Sequence, residues 1–209
     1  MSEISIIDMG INNIRSVVGA INYLGFKTIV TKAEDKIMKS SALILPGVGS
    51  YPQGIKNLKK NNLDLIIKKF FKSGKPILAI CLGFQMLFSS SEEFGNTKGL
   101  NIIAGKVRPL NSLKTKKMIP NLGWNITKYK KKKSNILFNN FNNFPSLYYI
   151  HSYYVDTYDK KCSTSDISFG NKKITTSIQY KNLYGVQFHP EKSGKNGINI
   201  IQNFLNQIK

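Results

Sequence analysis

Four short apolar runs set the frame for this chain: Ile4 to Asp8, Phe26 to Val30, Ala42 to Leu45 and Pro76 to Ile80. The last has no polar side chain, so as a strand it must be covered on both faces. Helical patterns alternate with these runs. Ile14, Val17, Val18 and Ile21 fall on one face of a helix that Asn12 or Asn13 caps and Gly25 stops. A second helical segment runs from Leu63 to Phe71 and ends near Gly74. Strand and helix in alternation predict an α/β fold with a mostly parallel central sheet flanked by helices.

The second half reads differently. Asn101 to Val107, Leu147 to Ile150, Lys173 to Gln179 and Leu183 to Phe188 are strand-like with few helices between, which predicts antiparallel strands added to the sheet. Ile198, Ile201, Leu205 and Ile208 have helical spacing and predict a closing amphipathic helix. With no internal repeat and no long linker, residues 1–209 are expected to form a single domain.

Composition narrows the function. The formal charge is +20, but only Arg15 and Arg108 are arginines. Nucleic-acid recognition favours the planar arginine fork, so dispersed lysine reads as solvated surface and no nucleic-acid partner is expected. Lys130 to Lys133 is the one local cluster and reads as a solvated turn. The start, Met1-Ser2-Glu3-Ile4, has no secretory pattern, and no apolar stretch approaches a membrane span. A soluble cytoplasmic protein without membrane contact is the expectation. Two distant cysteines make no disulfide framework, and with two histidines they lack zinc-ligand spacing; no metal and no cofactor are expected.

The chemistry concentrates at Cys81. It follows the buried run Ile77-Leu78-Ala79-Ile80 and precedes Leu82-Gly83-Phe84-Gln85, so it sits on a strand-to-helix turn. Small residues at Ala79 and Gly83 permit the tight turn, and a helix N-terminus beyond it favours thiolate. A buried structural cysteine is the competing reading. A thiol nucleophile needs a base. His189 ends the apolar run Gly185-Val186-Gln187-Phe188, Pro190 fixes the direction after it, and Glu191 two residues on is expected to orient the imidazole from an extended segment. His151 is the rival base but has no adjacent carboxylate, and Cys162 lies in a polar segment with no role assigned. Backbone N–H groups of Leu82 and of Val48, in Gly47-Val48-Gly49, are candidates for an oxyanion hole.

The turn at Cys81 to Gln85 and the late Phe188-His189-Pro190-Glu191 resemble the class I (triad) glutamine amidotransferases. Asp8-x-Gly10 with Asn13, Leu45-Pro46-Gly47-Val48-Gly49, Gly123-Trp124-Asn125, His151-Ser152-Tyr153-Tyr154 and Gly185 to Ser193 run in order through nearly the whole chain. Together they are similar to the glutaminase subunits of imidazole glycerol phosphate synthases. The resemblance implies glutamine hydrolysis through a Cys81 thioester, with His189 as acid and base and Glu191 orienting it. It implies a glutamine pocket at Gly49, Gln85, Ser152 and Tyr153. It also implies a heterodimer in which a (β/α)8-barrel cyclase receives the ammonia, meeting this chain at Asn12, Asn13, Arg15 and Trp124. Ala79, Met9, Asn12 and Asn121 depart from the family pattern, mostly at the expected partner face. Three alternatives share these residues: a paralogue supplying another synthase, such as a sugar amidotransferase; a γ-glutamyl hydrolase; and an inactive basic binding module.

Overall fold

The structure is a computed structural model, and it describes residues 3–10, 14–132 and 134–208. Its first half runs β1 (Glu3–Ile7), α1 (Ile14–Tyr23), β2 (Lys27–Thr31), α2 (Glu34–Lys39), β3 (Ala42–Leu45), α3 (Tyr51–Lys60), α4 (Leu63–Lys72), β4 (Ile77–Ile80) and α5 (Leu82–Met86). The expected alternation is there. Sequence reading missed α2, which is six residues long, and α3, whose pattern Pro52 and Gly54 interrupt. Pro52 is tolerated because it lies in the first turn, where the missing N–H is unpaired anyway. Gly54 lets Met86 approach, since a Cβ there would lie 2.8 Å from its sulfur.

β2, β1, β3 and β4 are neighbours in that order, all parallel. Every position of β3 and β4 is buried, as their unbroken apolar runs require. The two-residue period sends Ile4, Ile6, Ala42, Ile44, Leu78 and Ile80 to one face. Ile7, Leu43, Leu45, Ile77 and Ala79 go to the other. Val17, Ala20 and Ile21 of α1 cover the first face, beside Ile200, Ile201, Phe204 and Leu205 of the closing helix α6 (Gly194–Leu205). Ile55, Leu58, Ile66, Ile67 and Phe70 of α3 and α4 cover the second. Each such side chain contributes about 1.5–3 kcal/mol by leaving water, so the two layers clamp the strand ends in place. Because α6 ends at Leu205, Ile208 lies beyond it and is only partly buried.

The second half adds β5 (Phe88–Ser91), β6 (Thr97–Lys98), β7 (Ile103–Pro109), β8 (Asn121–Ile126), β9 (Lys128–Tyr129) and β10 (Ser146–His151). β11 (Tyr153–Thr157), β12 (Ser163–Phe169), β13 (Lys172–Tyr180) and β14 (Leu183–Val186) follow. The sheet continues from β4 as β14-β13-β11-β7-β5-β6, with β12 bridging β13 and β9. Three details differ from the expected antiparallel additions: β5 is parallel to β7, and the other two concern β14 and β10. β14 is parallel to β4 and antiparallel to β13, so it is where the sheet changes direction. β10 leaves the main sheet and pairs antiparallel with β8 in a separate ribbon. The fold is α/β, with a largely parallel helix-flanked sheet and antiparallel strands added C-terminally. Among the described residues no helix is long and apolar enough to cross a membrane.

Candidate active site

Cys81 leaves β4 with φ 53° and ψ −108°, a conformation that costs a non-glycine residue about 1–3 kcal/mol. Neighbouring backbone enforces it. The Cys81 N–H donates to the Val186 carbonyl at 2.8 Å, tying the turn to β14. A Cβ on Gly83 would lie 2.1 Å from the Leu45 oxygen, and one on Gly47 would lie 2.5 Å from the Gly83 nitrogen. The loop after β3 and the turn after β4 therefore touch backbone to backbone. The thiol is held at the carboxyl ends of parallel strands, where open α/β sheets bind ligands. The helix that follows the turn, α5, is only five residues long.

His189 and Glu191 approach from β14. The Gln187 N–H donates to the Thr176 carbonyl of β13 at 2.8 Å, and the His189 N–H donates to the Tyr148 carbonyl of β10 at 2.9 Å, tying the strand end to the ribbon. The chain then enters a tight 3₁₀ turn, Pro190–Lys192, and does not remain extended as expected. Proline fits the first position of that turn. The Ser193 hydroxyl closes it on the His189 carbonyl at 2.7 Å. Glu191 Oε1 accepts from His189 Nδ1 at 2.8 Å, with both side chains almost fully buried. Burial pushes the imidazole pKa down, but the nearby Cys81 sulfur and the Glu191 carboxylate outweigh it and hold it up at about 10. With Nδ1 committed, Nε2 has no hydrogen-bond partner among the described residues and is open to exchange a proton.

His151, the rival base, is closed on both sides. Nδ1 donates to the Tyr153 carbonyl at 2.7 Å, and Nε2 accepts from Asn121 Nδ2 at 2.9 Å. Burial, with the nearby His189 charge adding to it, lowers its pKa to about 4 despite the Tyr153 bond. It is a neutral structural histidine. Cys162 is a buried free thiol donating to the Asp159 carbonyl at 2.9 Å, and burial pushes its pKa up.

A cleft of about 530 Å³ brings together Val48, Gly49, Cys81, Leu82, Gln85, Ser152, Tyr153 and His189. Gly49 takes φ +103°, which only glycine adopts readily. The Leu82 N–H donates to the Gly47 carbonyl at 3.3 Å, so in this conformation it is not free to meet an oxyanion, contrary to expectation. Gln85 Nε2 is also engaged, donating to the Tyr153 carbonyl at 3.2 Å and to Gln187 Oε1 at 2.9 Å. Sequence reading missed two residues here. Glu93 lines the cleft and accepts from the Tyr51 N–H at 2.8 Å; burial raises its carboxyl pKa, with that bond opposing. Its signal was scarcity: only 11 acidic residues stand against 31 basic ones. Gln187 is 1% exposed and sits beside the sulfur.

Asn12 and Asn13 lie outside the described residues. Arg15 is exposed on α1. Trp124 is 58% exposed, and Leu122, Ile126 and Ile150 project from the same face of the β8–β10 ribbon. Ile150 also lines the cleft, so this apolar face adjoins the site. Met9 and Asn121 are buried, which removes these two departures from the surface where they were expected.

A model of the family described as Glutamine amidotransferase class-I matches residues 5–208. The chain is 39% identical to imidazole glycerol phosphate synthase subunit HisH of Trichodesmium erythraeum, covering 100% of this chain and 96% of that one. It is 40% identical to the protein of that name in Bacillus cereus strain G9842, covering 99% and 95%. It is also 42% identical to imidazole glycerol phosphate synthase subunit HisH 2 of Vibrio vulnificus, again over 99% and 95%. The solved structure of PurLQS from Thermotoga maritima superposes with a TM-score of 0.79 at 20% identity, covering 100% of both chains. With that fold and matches spanning its length, the chain belongs to the class I glutamine amidotransferase family.

Proposed function

We propose that this chain is the glutaminase subunit of an imidazole glycerol phosphate synthase, acting as one domain over residues 1–209 in the cytoplasm. It hydrolyses glutamine and passes ammonia to a (β/α)8-barrel cyclase, which makes imidazole glycerol phosphate and aminoimidazole carboxamide ribotide in histidine biosynthesis. The observation that carries the chemistry is the buried His189–Glu191 pair, 2.8 Å apart, with His189 lining the cleft that also holds Cys81. The relatives named above support the assignment to histidine biosynthesis.

In this reading Cys81 attacks the side-chain amide carbon of glutamine as a thiolate, and His189 Nε2 gives the departing nitrogen its proton. Ammonia leaves and a glutamyl thioester remains. Water, deprotonated by His189, then releases glutamate and restores the thiol. Glu191 keeps the imidazole in one orientation throughout. Gly49, Ser152 and Tyr153 line the glutamine site, and Glu93 supplies the negative charge that the α-ammonium group of glutamine needs. Val48 and Leu82 N–H groups receive the oxyanion once the Gly47–Val48 peptide turns its carbonyl away from Leu82. Removal of one oxyanion donor costs roughly 10²–10³ in turnover, so the isolated chain is slow. The exposed Leu122, Trp124, Ile126 and Ile150 face meets the cyclase, and Asn12, Asn13 and Arg15 are further contacts to it.

The test is glutamate release by this chain alone, with the cyclase, and with the cyclase and its nucleotide substrate. Expected is turnover at least about 100-fold higher in the full system. Full activity without a partner contradicts the reading.

A further inference from the structure

Gln187 is buried to 1% exposure, and its side-chain Nε2 donates to Cys81 Sγ at 3.6 Å. None of the roles above uses it. Its orientation is fixed by a chain of hydrogen bonds with one consistent polarity. The Tyr153 carbonyl can only accept, so Gln85 must present its NH2 group there, at 3.2 Å. The same NH2 group donates to Gln187 Oε1 at 2.9 Å. Gln187 must then turn its own NH2 group toward the sulfur. Its backbone is held too, through the N–H bond to the Thr176 carbonyl at 2.8 Å.

An amide N–H does not give up its proton near neutral pH, so this donor persists whatever the state of His189. A hydrogen bond to an ionised acceptor is roughly twice as strong as one to a neutral acceptor, so the contact favours thiolate over thiol. It also fixes where the sulfur points while His189 Nε2 exchanges its proton.

We propose that Gln187 is a positioning residue of the glutaminase reaction, whose side-chain N–H aligns the Cys81 sulfur and favours its thiolate, and that Gln85 and the Tyr153 carbonyl clamp the amide for that task. The inference rests on Cys81 being the nucleophile. It gives Gln85 a second duty, as the clamp of Gln187 as well as a wall of the glutamine site.

The experiment is alkylation of the full chain by iodoacetamide across a pH series, with mass spectrometry separating Cys81 from Cys162. Gln187→Met removes the donor while keeping the volume. It is expected to move the rise of Cys81 alkylation up by about one pH unit, and to slow alkylation about tenfold near pH 6. In the complex, kcat should fall with little change in KM. Gln187→Glu keeps the acceptor for Gln85 but places a carboxylate against the sulfur, so its shift should be larger; it also serves if Gln187→Met does not fold. Gln85→Leu should shift the profile in the same direction, and combining it with Gln187→Met should add little. A wild-type pH profile for Cys81 in folded Gln187→Met or Gln187→Glu overturns the proposal. Cys81→Ser separates the two levels. If it keeps glutaminase turnover, the nucleophile reading fails; if it is inactive while the Gln187 profiles stay unmoved, only the role of Gln187 fails.

Discussion

His151 and His189 begin as equals in the sequence and end with opposite electrostatics. Both are buried, but His189 has a carboxylate on Nδ1 and an open Nε2, whereas His151 has a carbonyl on one nitrogen and an amide N–H on the other. Folding lowers the His151 pKa from 6.5 to about 4, chiefly by burial. Between those values the unfolded chain takes up a proton that the folded chain refuses. The stability it contributes is therefore full above about pH 6.5 and is lost as pH falls towards 4, by up to ~3 kcal/mol. Urea unfolding across this window should show a shallower pH dependence for His151→Gln than for the parent; equal slopes would contradict the account. At this scale Cys81 and His189 were legible as candidates because each follows an apolar run, with Glu191 two residues beyond His189. Glu93 and Gln187 were not, because their roles come from neighbours 42 and 106 residues away in sequence, Tyr51 and Cys81.

The strand β4 and the Cys81 turn were readable because an unbroken apolar run can only be a buried strand. What the sequence hid was the reason for Gly83. It is needed for the close approach of the Leu45 carbonyl, 2.1 Å from where a Cβ would stand, and that neighbour is backbone with little room to move. Gly83→Ala should cost about 1–3 kcal/mol and lower Tm by about 2–12 °C. Gly19 is the contrast: it lies inside α1 with nothing within 4 Å of an added Cβ. Gly19→Ala should raise stability by up to about 1 kcal/mol. Thermal unfolding of both variants checks the pair, and equal effects would refute the close-contact argument. The direction of β14 was likewise hidden, since its burial pattern is the same whichever way its partners run. Pairing with β4 sets it, and with it the position of His189.

Across the whole molecule, charge and apolar surface behave differently. The +20 charge is spread over exposed lysines, and ion pairs such as Lys69–Glu34 and Lys160–Asp156 have solvent-exposed partners, each contributing at most about 1 kcal/mol. The ribbon of β8 and β10 instead gathers Leu122, Trp124, Ile126 and Ile150 on one face beside the cleft. For a cyclase docking there, Trp124→Ala should weaken association by at least about tenfold while leaving Tm nearly unchanged. Titration of the variant against the cyclase checks this, and unaltered affinity would move the interface elsewhere. The proposed role of Cys81 is to free ammonia from glutamine for a second subunit. Its most direct measurement is synthesis by the complex carrying Cys81→Ala, with glutamine or with ammonium salt as nitrogen donor. Glutamine-dependent synthesis should be abolished while ammonia-dependent synthesis persists at the parent rate; retention of the first, or loss of both, would contradict this role.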